Sequence, residues 1–295
     1  MHRSLIVFKD EVFDCIHQDY SIEVLSDDCR FTEGPVWNED DQSFLFSDIT
    51  ANCIYKISAN ETKQIYLSNS GTNNMFDPDL KTDQSGSNGL AYDNNKNLLI
   101  CRHGSHDVAL FDGNKVVPLI NNFRGKPLNS PNDIVVSKNG TIYFSDPPYG
   151  LKSGKLFPSK YQVKSGVYAY RDHELVLVSD KYQYPNGVCL SSDQSVLYVC
   201  SNKPFEKFIS MYDAVSFEYK GILAEENSDG MKIDAYGNFF LCSNEGIIIL
   251  NKEGERTALI RLPSTPANAC WGGKNRKDLL VTAREHVYLI KQLAV

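Results

Sequence analysis

Hydrophobic positions along this chain gather into runs of about five residues, rich in β-branched and aromatic types and closed by Gly, Asn or Asp. No long window carries apolar residues at the helical period, so the pattern predicts strands. The runs also repeat. Six segments share a short polar motif, a strand of small and apolar residues, an Asp/Asn/Gly turn and a second apolar strand. They read "EGPVWNEDDQSFLFSD" from Glu33, "NGLAYDNNKNLLICRHG" from Asn88, "NDIVVSKNGTIYFSD" from Asn132, "NGVCLSSDQSVLYVCSN" from Asn186, "DGMKIDAYGNFFLCSN" from Asp229 and "NACWGGKNRKDLLVTA" from Asn268. Successive starts lie 55, 44, 54, 43 and 39 residues apart, and two further strand-like runs follow in most units, such as "GVYAYR" and "ELVLVS".

Four strands in every unit is the pattern of a β-propeller blade. The expected fold is all-β: a six-bladed β-propeller with four antiparallel strands per blade, residues 1–295 forming a single domain. The last unit ends at "HVYLIKQLAV", one strand short. An N-terminal strand, for example "YSIEVL" at 20–25, is expected to complete the last blade and close the sheet edge.

In such a blade the first strand is innermost, and its start lies at one mouth of the central channel. Those starts are Glu33, Asn88, Asn132, Asn186, Asp229 and Asn268, two carboxylates and four amides. Residues just past the second strands share that end: Asp48, His103, Asp146, Asn202 and Asn244. So do the two longest insertions, 69–87 and 147–165, and long loops over one face commonly carry function. Any one Asn-Gly or Asp-Gly pair reads most simply as a turn. A turn, however, does not require its polar residue to recur at the same phase of every blade. Acids held together near an axis repel unless a cation compensates. An all-oxygen set, part anionic and part amide, suits a hard divalent ion, with Ca²⁺ first and Mg²⁺, Mn²⁺ or Zn²⁺ as alternatives.

Composition narrows the partners. Apolar and charged contents of 42% and 23% are ordinary, and a net charge of −7 without a Lys/Arg cluster argues against nucleic acid or an anionic membrane. The apolar run Leu5 to Phe8 is too short for a signal core, and no run approaches the ~18 residues of a membrane span. Eight cysteines, never closer than eleven apart, include no CxxC pair, which fits free buried thiols and a cytoplasmic location. A GxSxG nucleophile elbow is also missing, which disfavours a covalent acyl-enzyme route.

Several motifs carry a resemblance: "EGPVW" at 33–37, "NSPNDIVV" at 129–136, "IYFSDPPYG" at 142–150, "PNGVCLSSD" at 185–193 and "SDGMKIDAYGNFF" at 228–240. In order and at suitable spacing, over roughly residues 20–292, the chain resembles the gluconolactonase/regucalcin (senescence marker protein-30) family of six-bladed propellers, and its DPPYG and "CRHG" segments resemble the bacterial gluconolactonase branch. The resemblance implies one divalent cation held by Glu33, Asn132, Asn186 and Asp229, with Asp229 as catalytic acid/base. The family's "RxN" pair reads "SPN" here, with Ser130 in place of the Arg. His103 is then expected to contact substrate instead, while Asn88, Asn132 and Asn268 hydrogen-bond sugar hydroxyls. The expected function is metal-dependent opening of a small sugar lactone. The alternatives are an organophosphatase or other ester hydrolase on the same site, or a non-catalytic calcium-binding or scaffold propeller.

Overall fold

Strand pairing follows the repeat. In the computed structural model, which describes residues 4–58, 62–74 and 77–295, six antiparallel sheets stand around a central axis. Residues 1–3 of the expected domain, 59–61 and residues 75–76 of the 69–87 insertion lie outside the described set. Blade 1 comprises Thr32–Asn38, Ser43–Asp48, Cys53–Ile57 and Gln64–Ser68. Blade 2 comprises Ser87–Tyr92, Leu98–Arg102, Asp107–Phe111 and Val116–Ile120. Blade 3 has Ile134–Val136, Ile142–Asp146, Gly166–Arg171 and Glu174–Ser179, and blade 4 has Val188–Leu190, Val196–Val199, Ile209–Asp213 and Tyr219–Ala224. Blade 5 is built from Met231–Ile233, Phe239–Ser243, Gly246–Leu250 and Arg256–Ile260. Blade 6 takes Asn268–Gly272, Asp278–Ala283 and His286–Lys291 from the C-terminal segment.

The fourth strand of blade 6 is Ser21–Ser26, which pairs antiparallel with His286–Lys291 from Ser21↔Lys291 to Ser26↔Val287. The expected closure is therefore present. Beyond the repeat and a small Asn122–Phe123/Lys126–Pro127 hairpin, Leu5–Val7 adds a fifth strand to blade 5, with Leu5 opposite Ile260. It covers an edge that would otherwise be open.

Second strands are mostly buried because neighbouring blades pack against both faces, and in Ser43–Asp48 and Ile142–Asp146 every residue is buried. Outer strands such as Gln64–Ser68 are exposed or only half-buried along their length. Phe46, Phe144, Phe239 and Phe240 are among the large side chains filling the space between blades.

The glycine that follows four of the six ring residues has a cause other than a turn. A Cβ at Gly34 (φ +49°) would sit 2.0 Å from the Asn88 carbonyl oxygen of the next blade. At Gly89 the same atom would meet the Asn132 carbonyl at 2.4 Å, and at Gly187 the Asp229 carbonyl at 2.7 Å. The motif thus marks the close approach of successive innermost strands. A second device repeats one strand further out. Ser47 and Ser145 donate to the carbonyls of Asn88 and Asn186, both at 2.7 Å, and Cys101, Cys200 and Cys242 occupy the same blade position. All eight cysteines are free, and seven are buried. No helix among the described residues is long and apolar enough to cross a membrane.

Candidate active site

The six ring residues converge at one mouth because each stands at or just before an innermost strand. Glu33 is only 3% exposed; one carboxylate oxygen accepts from the Gly34 amide at 3.0 Å. Burial, and then the nearby charge of Asp229, raise the Glu33 carboxyl well above the usual carboxylate range. Asp229 is partly exposed, and burial raises it too, against the pull of Arg284, Asn202, Asn186 and Lys203. Facing those donors and cations, Asp229 stays the more acidic of the pair.

The amides divide into two kinds. Asn186 donates through Nδ2 to Asp229 Oδ1 at 2.5 Å. Asn132 is 3% exposed, and its backbone is engaged with Ser145 and Gly89. Asn268, by contrast, is tied into the scaffold. Its Oδ1 accepts from Lys232 at 3.0 Å and from the Ala269 amide at 2.9 Å, and its Nδ2 donates to Asp133 at 3.3 Å. Asp133 in turn accepts from the Val188 amide at 3.0 Å and lies 3.9 Å from the Lys232 ammonium. Asp133 and Lys232 thus form a polar layer beneath the ring that reading of the first-strand starts missed. The signal was present in "PND" and "DGMK", one and three residues past the ring positions.

His103 is fully buried. Its Nδ1 lies 2.8 Å from the Gln84 carbonyl, which can only accept, so Nδ1 carries the proton and Nε2 accepts from Asn88 Nδ2 at 3.3 Å. Burial pulls the imidazole down to about 4, so it is neutral at pH 7. His103 therefore orients Asn88, whose Oδ1 is buried without a partner among the described residues. An orphaned amide oxygen next to two mutually repelling acids is unfavourable in a sealed protein. These residues fit a hard cation or hydroxyl-rich ligand as the missing partner.

Asp48 and Asp146 hold the loops that enter their own innermost strands. Asp48 accepts from the amides of Arg30 and Phe31 at 2.8 and 3.1 Å, and Asp146 from Asn129 and Ser130 at 2.8 Å each. Glu206 repeats this in blade 4, on the amide of Gln183 at 2.5 Å and that of Tyr184 at 3.1 Å. Ser130 anchors the DPPYG loop by donating to the Pro147 carbonyl at 2.5 Å and accepting from the Gly150 amide at 2.9 Å.

That loop and the 69–87 insertion are joined by an isolated Leu80↔Leu151 bridge and by the Lys152 amide on the Asp79 carbonyl at 2.8 Å. The result places Tyr149, another residue outside the sequence expectation, against the ring. Its hydroxyl donates to Asn202 Oδ1 at 2.9 Å, and its ring stacks on Tyr184 with centroids 5.7 Å apart. Beside Asp229 opens a cavity of about 240 Å³ walled by Asn202, Lys203, Asn227, Asn244 and Arg284, among others.

Comparison with known proteins agrees with this architecture. A family model described as "SMP-30/Gluconolactonase/LRE-like region" matches residues 31–285. A gluconolactonase of Zymomonas mobilis is 30% identical over 291 residues, covering 92% of this chain and 81% of its own. Human regucalcin is 27% identical over 273 residues, covering 88% and 85% respectively. Among solved structures, a gluconolactonase from Xanthomonas campestris superposes with a TM-score of 0.83 at 22% identity, covering 99% of this chain and 95% of its own. A calcium-binding regucalcin from Agrobacterium tumefaciens superposes at 0.73 with 16% identity, covering 93% and 95%.

Proposed function

The chain belongs to the SMP-30/gluconolactonase/LRE-like family, and on that premise we propose that it is a lactonase that opens a small sugar lactone at the channel mouth. The observation that carries this reading is the pairing of buried Glu33 with partly exposed Asp229, both raised, in a ring where the Asn88 amide oxygen has no partner among the described residues. Glu33, Asn132, Asn186 and Asp229 are the residues that would hold a divalent cation, with Ca²⁺ the first expectation. When bound there, such an ion supplies Lewis acidity toward a carbonyl oxygen and charge compensation for both acids.

The chain's own groups then divide the remaining work. Asp229 takes a proton from water as that water attacks the lactone carbonyl carbon, and returns it to the ring oxygen as the acyl carbon–oxygen bond breaks. The product is the open hydroxy acid. Asn186, bonded to Asp229 Oδ1, fixes the carboxylate so that one oxygen remains for this exchange. Asn88, turned by neutral His103, offers its amide oxygen to a substrate hydroxyl. Asn132 shares the cation or orients the sugar. The bonds around Asn268 favour a positioning role for it, beneath Glu33, over direct substrate contact.

A pH-stat assay of chelator-stripped protein tests the reading, using glucono-δ-lactone, further five- and six-membered lactones, an aryl ester and an organophosphate. Ca²⁺, Mn²⁺, Mg²⁺ and Zn²⁺ are restored in turn. Acid release from a lactone should return with metal and fall about 100-fold or more in Asp229→Asn. Metal-independent acid release, or full activity in that variant, overturns it.

A further inference from the structure

The cavity beside Asp229 carries a charge pattern that lactone opening alone does not call for. Lys203 of blade 4 and Arg284 of blade 6 both line it, on either side of Asp229 of blade 5. This is a basic mouth on a chain of net charge −7. Both cations are positioned by aromatic faces. The Lys203 ammonium lies 5.0 Å from the Tyr149 ring centroid and 4.9 Å from that of Tyr184, and the Arg284 guanidinium lies 4.7 Å from that of Phe31. An aromatic face orients a cation without neutralising it. Among the described residues neither forms a salt bridge, whereas Lys56, Lys96 and Arg276 at the opposite end are paired with Asp41, Asp40 and Glu39. Asp229 feels both charges, but one carboxylate cannot balance two cations. Lys203 and Arg284 therefore present two cationic donors to the cavity beside Asp229 without an ion-pair partner among the described residues.

We infer that Lys203 and Arg284 recognise an anionic group carried by the substrate, so that the preferred lactone bears a carboxylate or phosphate distal to its ester. This rests on the lactonase reading. The guanidinium offers a planar fork to either group's oxygens, and the ammonium adds a point charge. Asn244 and the amide oxygen of Asn227, whose Nδ2 donates to the Asn202 carbonyl at 3.1 Å, also line the cavity as partners for substrate hydroxyls.

The test compares kcat/KM on neutral D-glucono-1,5-lactone, on D-glucaro-1,4-lactone and on 6-phospho-D-glucono-1,5-lactone. Wild type should favour one anionic lactone by tenfold or more, and which one distinguishes carboxylate from phosphate. Lys203→Met and Arg284→Met should each lower the anionic-to-neutral ratio tenfold or more, mainly through KM, and Lys203→Glu should invert the preference. An unchanged ratio in all three variants, with every lactone still opened, overturns the inference and leaves the lactonase reading standing. Equal losses on neutral and anionic lactones also overturn it, since they assign the cations to Asp229 alone. Calorimetric titration with D-glucarate and 6-phosphogluconate provides a readout without turnover. Anion binding that is lost in the Met variants, with no lactone opened, supports the charge recognition and removes the lactonase reading. No anion binding and no preference overturns the inference.

Discussion

Glu33 and His103 show how a residue's environment decides its chemistry. Glu33 stands in a run of acids with Glu39, Asp40 and Asp41, yet only Glu33 is buried; the other three are exposed ion-pair partners at the far end of the blade. Its position in the ring was legible because the repeat places it in phase with Asp229. The burial and tautomer of His103 were not, because they depend on the Gln84 carbonyl, which lies in the 69–87 insertion outside the repeated motif. The fully buried imidazole gives a pH prediction. Its value falls from 6.5 unfolded to about 4 folded, so between these the unfolded chain binds the extra proton. The stability contributed by the neutral ring is complete above about pH 6.5 and lost as pH falls toward 4, up to ~3 kcal/mol at the acid limit. Chemical denaturation of the wild type from pH 7 to 4 should show this slope, and His103→Gln should flatten it. An identical slope in the variant would remove the assignment.

Elements here are governed by close approach. A Cβ at Gly89 falls 2.4 Å from a backbone oxygen of the next blade, so Gly89→Ala should cost at least ~2 kcal/mol and lower the melting temperature by several degrees. A melting point within a degree of wild type would contradict the proposed strand packing. The small buried position near the end of each second strand predicts the opposite tolerance. Cys200→Ser should stay within ~1 kcal/mol, because Ser47 and Ser145 already fill that position and donate to the next blade. Cys200→Leu should not fold stably, because the site touches Gly187 and the Asp229 carbonyl. Matching denaturation midpoints for the Ser and Leu variants would show that the position is not sterically closed.

For the whole molecule, we propose that residues 1–295 unfold as one domain, since the ring is closed by a strand from each end of the chain. Removing residues 1–9 takes only the fifth strand of blade 5 and should leave a single thermal transition, shifted down. Removing residues 1–26 strips the closing strand from blade 6, exposes the His286–Lys291 edge, and should abolish that single transition or give aggregates. Two separate transitions in the intact chain would contradict the one-domain proposal. Chelation should also lower the intact protein's melting temperature, and restored Ca²⁺ should raise it, because a ligand of the folded ring alone stabilises by mass action.

Sequence alone determined the architecture and the axial ring of this protein. Both are periodic, and a repeat in blade phase maps directly onto angular position around the channel. Only the tertiary structure decided which ring residues keep free valences, with Asn268 bound into the Asp133–Lys232 layer and Asn88 left with an unpartnered oxygen. It alone also gathered Tyr149, Lys203 and Arg284 about Asp229. Those residues lie in loops of unequal length, where no period constrains position. Their placement follows from packing between chain segments far apart in sequence, which local pattern does not encode.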